Sequence, residues 1–328
     1  MTSTLARELS WKFPLMRGDD VREVQRALIR DGSLIGSADG IFGPATHDGV
    51  VAFQRKLRAR NPTIDVDGIV GRDTWSALFS NRASADPVPQ IRVPPSAIAD
   101  QGDWRDLIRP YVERLSKRHG APQQAPGGQT WRLTSQGIVV GDETKARRSG
   151  GEPQTLTRIW RDFRAPIEKC AAAYGVPLEL ILATIATESG GNPNALREEP
   201  GFTSDEATPH RVSPGLMQTL ISTARGTLND PSIDRAKLLD PETSIRAGTA
   251  YIRQQARITN FDPPLVACAY NAGNCYPQEG SDNPWRLRQY PIGTGKHADR
   301  FVAWFGDALE VVRASPPQET TPSFASLL

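Results

Sequence analysis

The sequence predicts a mainly α-helical protein built from two helical domains, with a region between them that could form a small β-hairpin. Apolar residues recur at helical spacing through most of the chain, and turn residues separate these segments. At 328 residues the chain is long enough for two or three domains. We predict a helical domain at 10–80, a linker at 81–100, an intermediate region at 101–155, a larger helical domain at 156–314 and a disordered tail at 315–328.

Composition argues against several classes of protein. The chain is 38% hydrophobic and 23% charged with a formal net charge of +2, which favours neither a nucleic-acid-binding nor a membrane-surface protein. No apolar run is long enough to cross a bilayer, so membrane insertion is not expected. The segment MTSTLARELSWKFPLMRGDD holds no apolar core of signal-peptide length, so we expect no ordinary secretory leader. We also expect a monomer.

Cysteine and histidine usage predicts neither a disulfide framework nor a metal site. Cys170, Cys268 and Cys275 are too few and odd in number for a framework. Cys268 and Cys275 could pair, although separate thiols are favoured. The histidines show no spacing typical of a zinc site; they are His47, His119, His210 and His297. No metal or organic cofactor is expected.

The first predicted domain carries a short internal repeat. The sequence DGIFGPAT at 39–46 is echoed by DGIVGRDT at 67–74. Each copy is typical of a glycine turn that leads into a helix, and the apolar residues beside the glycines fill a small core. The pattern indicates a compact three-helix module with an internal duplication.

Three segments of this module carry a family resemblance. GDDVREVQRAL, DGIFGPATHDGVVAFQ and VDGIVGRDTWSAL resemble the peptidoglycan-binding module found beside cell-wall hydrolases. The resemblance covers nearly the whole unit and implies a three-helix fold that holds an enzyme on murein. A small bundle used for protein contacts is the alternative, because fold alone does not determine function.

The region between the two helical domains contains no recognisable catalytic or ligand-binding motif. ADPVPQIRVPPSA predicts a semi-extended linker. Residues 103–117 predict a short helix or two, broken near Pro110. Residues 127–141 contain β-rich runs around a Ser-Gln-Gly turn, which could form a hairpin.

The segment LELILATIATESGG, Leu178–Gly191, predicts an apolar helix with an acid near its end. Apolar residues at helical spacing, from Leu178 to Ile185, form one stripe, and Glu188 falls at its edge. Burial would favour the neutral carboxyl, and a raised pKa is what a general acid needs. A solvent-facing glutamate at a fraying helix end is the alternative.

Three motifs follow one another in the second domain. They are ESGGNPNA at 188–195, SPGLMQ at 213–218 and AYNAG at 269–273, with DPETSIRAGTAYI between the second and third. In combination they resemble the soluble lytic transglycosylases and the related goose-type lysozymes, over about 163–309. The resemblance implies a lysozyme-like α-helical catalytic domain.

By this resemblance Glu188 is the catalytic acid. It would protonate the oxygen of the β-1,4 bond between N-acetylmuramic acid and N-acetylglucosamine, through a transition state with oxocarbenium character. The ionised Glu188 would then take the proton of the muramyl C6 hydroxyl, which closes a 1,6-anhydro ring.

The resemblance also implies substrate-binding residues. Ser213 and Gln218 match positions that line the sugar groove, and Met217 would form its apolar floor, although core packing is the alternative for Met217. Tyr270 would hydrogen-bond near Glu188 or the intermediate. Asn271 would hold the adjacent loop or the sugar.

The segment between the first two motifs is longer than is usual in the family. It brings four acids near the site in sequence, and they are Glu198, Glu199, Asp205 and Glu206. A two-carboxylate hydrolase would need such a base on the far side of the sugar. A solvated surface loop is the favoured alternative.

The sequence therefore predicts a murein-degrading enzyme that acts on peptidoglycan strands, with a phage endolysin as the best-fitting setting. The open alternatives are a lysozyme that adds water, an injected antibacterial effector, and a non-catalytic wall-binding or virion structural protein. Without a leader, the protein would stay in the host cytoplasm until phage lysis, virion carriage or a specialised secretion system brought it to the wall.

Overall fold

A computed structural model of the chain describes residues 7–11, 15–34, 38–58, 64–80, 103–121, 127–150 and 153–328. These residues are mainly α-helical, as predicted. The helices are α1 (Asp19–Asp31), α2 (Pro44–Arg58), α3 (Arg72–Ser80), α4 (Trp104–Leu115), α5 (Gln154–Tyr174), α6 (Leu178–Ser189), α7 (Ile221–Leu228), α8 (Arg235–Leu239), α9 (Pro241–Thr259), α10 (Pro263–Ala272) and α11 (Lys296–Ala314). The strands are β1 (His119–Gly120), β2 (Thr130–Thr134), β3 (Gly137–Val140), β4 (Leu196–Glu198) and β5 (Val212–Pro214).

The chain divides into two compact units, one within Met1–Arg92 and one within Val93–Leu328. The predicted linker at 81–100 lies outside the described residues. Among the helices that the structure describes, none combines the length and the apolar character needed to cross a membrane.

In the first unit, each copy of the repeat surrounds a buried glutamine. Gln25 on α1 donates through Nε2 to Asp39 Oδ1 at 2.7 Å and to Thr46 Oγ1 at 2.9 Å. Its Oε1 accepts the backbone N–H of Gly40 at 2.7 Å. The amide is therefore enclosed by the Asp, Gly and Thr of one copy.

Gln54 on α2 repeats this arrangement with the second copy. Its Nε2 donates to Asp67 Oδ1 at 2.9 Å and to Thr74 Oγ1 at 3.1 Å, and its Oε1 accepts the N–H of Gly68 at 2.8 Å. Gly40 and Gly68 have φ of 77° and 73°, which confirms the predicted glycine turns. The duplication in sequence is thus a duplication of one hydrogen-bonded turn.

Helix α6 lies at the centre of the second unit. Every residue from Leu178 to Thr187 is buried, so the helix is enclosed on all sides rather than along a single stripe. Helices α5, α9, α10 and α11 pack against it. A helix that is apolar all round is typical of a core position.

The intermediate region packs into the same hydrophobic core as α6. Strands β2 and β3 form the predicted hairpin, with Trp131 opposite Val140. The predicted break at Pro110 is wrong, because α4 continues through this residue. Burial of one apolar face offsets the hydrogen bond that proline cannot donate. That face consists of Trp104, Ile108, Val112 and Leu115.

The prediction of a disordered tail at 315–328 is wrong. Phe324 is fully buried and packs edge-on against Phe305, with ring centroids 5.7 Å apart. The Glu179 carboxylate on α6 accepts Ser323 Oγ at 2.6 Å and the N–H of Phe324 at 3.0 Å. The Pro- and Ser-rich composition of this segment is typical of disorder. The segment is nevertheless held in place, because the Phe324 ring packs on α11 and its backbone N–H donates to α6.

Candidate active site

Glu188 lies in the last turn of α6. Gly190, with φ of 61°, ends the helix in the left-handed conformation that glycine adopts readily. The Glu188 side chain keeps 18% of its surface exposed, although the preceding residues of the helix are buried. The carboxyl group therefore combines an apolar support with an opening to solvent.

Burial raises the pKa of Glu188 to about 7, while the charges of Arg300 and Arg197 act in the opposite direction. Withdrawal from water disfavours the charged carboxylate, which is the cause of the increase. A pKa this close to neutrality makes both the protonated and the ionised form of Glu188 accessible at pH 7. Glu188 can therefore donate a proton and accept one within a single reaction.

His297 faces this acid from α11. Its Nε2 lies 3.5 Å from Oε1 of Glu188, and its side chain is 5% exposed. Burial, together with the charges of Arg300 and Arg197, lowers the pKa of His297 to about 3. Sequence reasoning missed this residue, because a lone histidine far along the chain carries no local signal of what it faces.

The loop at 213–218 is tied to the end of α6. Ser189 Oγ donates to the carbonyl oxygen of Leu216 at 2.7 Å. Gly215 has φ of 84°, and a Cβ atom there would lie 1.9 Å from the carbonyl oxygen of Leu238. Since only glycine permits this conformation and this approach, Gly215 determines the path of the loop beside Glu188.

Ser213 and Gln218 come together within this loop. Ser213 Oγ donates to Gln218 Oε1 at 3.4 Å. Gln218 Nε2 donates to the carbonyl oxygens of Ala195 at 3.0 Å and Gly215 at 2.9 Å. The Gln218 amide therefore joins the first two motifs, a role that the sequence analysis does not predict.

Met217 lies in the core. Its side chain is 0% exposed and packs on Gly248, where an added Cβ would lie 2.5 Å from the Met217 sulfur. The carbonyl oxygen of Met217 accepts the hydroxyl of Tyr270 at 2.8 Å. The predicted apolar floor of the groove is not formed by this side chain, because the loop turns it inward onto α9.

Tyr270 and Asn271 hold neighbouring segments in place. The Tyr270 hydroxyl is buried and lies 2.9 Å from Thr219 Oγ1. Burial raises the pKa of Tyr270 well above its usual value, and the charge of Glu188 adds to the increase. Asn271 Oδ1 accepts the backbone N–H of Tyr290 at 2.6 Å. Asn271 thus holds an adjacent loop, one of the two roles considered for it.

Three of the four acids of the long loop form ion pairs with arginines, and the fourth is exposed. The four are Glu198, Glu199, Asp205 and Glu206. Arg235 Nη2 lies 2.9 Å from Glu198 and 2.8 Å from Asp205. Glu199 lies 2.8 Å from Arg197, and Glu206 is exposed. These contacts favour the solvated-surface interpretation over a second catalytic carboxylate.

In the described part of the chain, no group of three His, Cys, Asp or Glu side chains is placed to hold a metal ion. Cys170, Cys268 and Cys275 are free. Burial raises the pKa of Cys170 to about 11 and that of Cys275 to about 12. Both are therefore protonated thiols at neutral pH.

Comparison with known proteins gives relatives for parts of the chain. The membrane-bound lytic murein transglycosylases C of Yersinia pestis (strain Pestoides F) and Yersinia pseudotuberculosis (serotype O:1b, strain IP 31758) are each 39% identical over 107 residues. These matches cover 30% of this chain and 26% of each relative. The chain thus spans about a quarter of the length of the curated relatives it matches.

Two solved structures show weaker likeness. The 70 kDa soluble lytic transglycosylase of Escherichia coli is 21% identical with a TM-score of 0.34, over 49% of this chain and 26% of that chain. The Burkholderia AP3 phage endolysin is 16% identical with a TM-score of 0.19, over 94% of this chain and 100% of that chain. TM-scores this low do not establish a common fold.

Two family models match the chain directly. Residues 17–78 match the model described as "Putative peptidoglycan binding domain", and residues 165–283 match the model described as "Transglycosylase SLT domain". The second match contains all three motifs of the candidate site. The family predicted from the sequence is thereby confirmed: the chain carries a transglycosylase SLT domain preceded by a peptidoglycan-binding domain.

Proposed function

We propose that this protein is a murein lytic transglycosylase. It cleaves the β-1,4 bond between N-acetylmuramic acid and N-acetylglucosamine and leaves a 1,6-anhydromuramyl product. One observation carries the proposal: Glu188, with a pKa of about 7, lies where the three motif segments meet, within the residues that match the SLT domain. Relatives named lytic murein transglycosylases support the same reaction.

The reaction needs one residue that acts first as an acid and then as a base. Protonated Glu188 donates its proton to the bridging oxygen as the bond from C1 to that oxygen breaks. The resulting carboxylate accepts the proton of the muramyl C6 hydroxyl, whose oxygen bonds to C1. Glu188 is protonated again at the end of the turnover, and no water is consumed. A pKa near 7 suits both steps.

The surrounding residues shape the groove for this acid. Gln218 and Ser213 hold the loop that follows β5 against the segment after α6. Tyr270 ties α10 to that loop through the carbonyl oxygen of Met217. The proposed contribution of all three to sugar binding is to fix the groove wall beside Glu188. Gln218 is the partly exposed one of the three, and its amide is proposed to meet the acetamido and ring substituents.

The N-terminal unit is proposed to hold the enzyme on peptidoglycan. Its match to the peptidoglycan-binding model supports this role. The proposed place of action is the cell wall. The proposed route to the wall is release at phage lysis. Co-expression with and without a membrane-permeabilising holin would test this route. Lysis should occur only when the holin is present.

The products from purified sacculi test the reaction. Wild type should release anhydromuropeptides, which mass spectrometry identifies because they are lighter by one water than hydrolysed ones. Glu188→Gln should lose at least about 100-fold in turnover while still binding sacculi. Glu206→Gln, a change at an exposed acid, is the matched control and should behave as wild type. Hydrated products, or an active Glu188→Gln enzyme, would contradict the proposal.

A further inference from the structure

His297 stands opposite Glu188 with no role assigned by the family match. Its Nε2 lies 3.5 Å from Oε1 of Glu188, and it falls outside residues 165–283. We propose that His297 is a positioning residue for Glu188, whose Nε2–H donates to the carboxylate that forms when Glu188 gives up its proton. This inference rests on the proposed function.

The imidazole is suited to this role because it is neutral. Burial is the main cause that lowers the pKa of His297 to about 3, and the charges of the two neighbouring arginines contribute to the same shift. A charged imidazolium this close would favour the ionised form of Glu188 and remove the acid at rest. A neutral N–H instead discriminates between the two states, since it binds an ionised carboxylate more strongly than a neutral carboxyl.

Backbone contacts fix the start of α11, where His297 lies. Gly295 N–H donates to the carbonyl oxygen of Asp282 at 2.9 Å. Ala298 N–H donates to Oε1 of the buried Gln289 at 2.7 Å. Helix α11 also packs along α6, which carries Glu188. The packing of α11 on α6 therefore sets the distance between the imidazole and the acid.

The contact strengthens as the reaction proceeds. A separation of 3.5 Å exceeds an ordinary hydrogen bond, and catalytic contacts in unliganded enzymes often shorten once substrate is bound. When the proton leaves Glu188 for the bridging oxygen, negative charge appears on the carboxylate and the Nε2–H bond stabilises it. When Glu188 takes the C6 hydroxyl proton, that stabilisation ends. His297 keeps its own proton throughout.

Other groups around Glu188 do not reproduce this effect. Arg300 on α11 and Arg197 on β4 lower the pKa of Glu188. As positive charges they act on Glu188 through space and favour its ionised form. Tyr270 on α10 has a pKa raised well above its usual value and stays protonated, with its hydroxyl donated to Met217. Glu188 is thus the group that titrates near neutrality.

The test compares two replacements of His297. Leucine removes the donor, and glutamine keeps an N–H at similar reach. With soluble glycan strands, His297→Leu should lower kcat by about 10- to 100-fold. The alkaline limb of the kcat–pH profile, where Glu188 loses its proton, should move up by about one pH unit, because the ionised form loses a donor. His297→Gln should restore most of both.

Several outcomes would overturn the inference. One is a folded His297→Leu enzyme with the wild-type kcat and alkaline limb. Another is a glutamine variant as impaired as the leucine variant, because ring packing rather than the donor would then matter. If His297→Leu does not fold, ¹⁵N NMR of the His297 ring in the wild-type enzyme, recorded from pH 5 to pH 8, tests the inference instead. A neutral ring with its proton on Nε2 is expected, and a charged ring or an Nδ1–H tautomer would refute the inference.

The parallel Glu188→Gln enzyme separates this inference from the proposed function. An active Glu188→Gln enzyme rejects the reaction itself. An inactive Glu188→Gln enzyme, beside a His297→Leu enzyme with an unshifted pH profile, rejects the role of His297 alone.

Discussion

Replacement of Phe324 by alanine measures how firmly the C-terminal segment is held. The ring is fully buried and packs edge-on against Phe305 on α11. The backbone N–H of Phe324 donates to Glu179, and an alanine keeps that bond. The substitution therefore removes the ring and leaves the backbone anchor on α6 intact.

The expected cost follows from the burial of the ring. Truncation of a buried phenylalanine to alanine typically destabilises a protein by about 3–5 kcal/mol, from lost transfer free energy and the cavity left behind. For a unit of this size, each kcal/mol corresponds to a shift in Tm of roughly 2–4 °C. We therefore expect the second unit to melt about 10 °C lower.

Urea denaturation followed by far-UV circular dichroism gives the free energy of unfolding. Hydrogen exchange of the α6 amides assigns the loss to the second unit. The matched control is Ser326→Ala, because Ser326 is exposed and belongs to the same segment. A change in a disordered tail would alter the free energy of unfolding by no more than about 0.5 kcal/mol. A loss below about 1 kcal/mol for Phe324→Ala would refute the packing described above.

Three further predictions follow from the same structure. Gly215→Ala should reduce murein turnover at least about tenfold and lower Tm, since its Cβ would meet the carbonyl oxygen of Leu238 at a positive φ; wild-type turnover would contradict this. Gln54→Leu should lower the free energy of unfolding of the first unit by about 2–4 kcal/mol. The change removes the hydrogen bonds of the Gln54 amide to the Gly68 N–H and to its other partners. Faster hydrogen exchange at Gly68 would report the loss, and unchanged exchange would contradict it. The activity of wild type should fall about tenfold per pH unit above pH 7, because the acid form of Glu188 disappears there; a profile flat to pH 9 would exclude Glu188 as the acid.

Local sequence patterns predict the individual helices, turns and hairpin that they form. The periodicity of Leu178–Gly191 predicts α6 and places an acid at its end, because side-chain spacing on a helix depends on the helix alone. The repeated DGI turns predict glycines at positive φ for the same reason. The hairpin around Ser135 and Gln136 is also a local structure and is confirmed.

The interior of the site depends on contacts between distant segments. Met217 belongs to a motif associated with the sugar groove, yet the turn at Gly215 directs it into the core against Gly248. Gln218 uses its amide to hold two loops together. Neither result follows from the residue types. The first depends on the path of the loop, and the second on which backbone carbonyls lie within reach of the Gln218 amide after folding.

The sequence by itself determined the helical class, the two family domains and the identity of Glu188 as the candidate acid, since each of these is written in short contiguous motifs. Only the tertiary structure decided that the acid is largely withdrawn from water beside His297, and that the last residues are held on α6 through the contact of Phe324 with Glu179. The physical reason is that burial, and the pKa that follows from it, depend on helices brought together from far along the chain, and no local pattern encodes what a side chain will face.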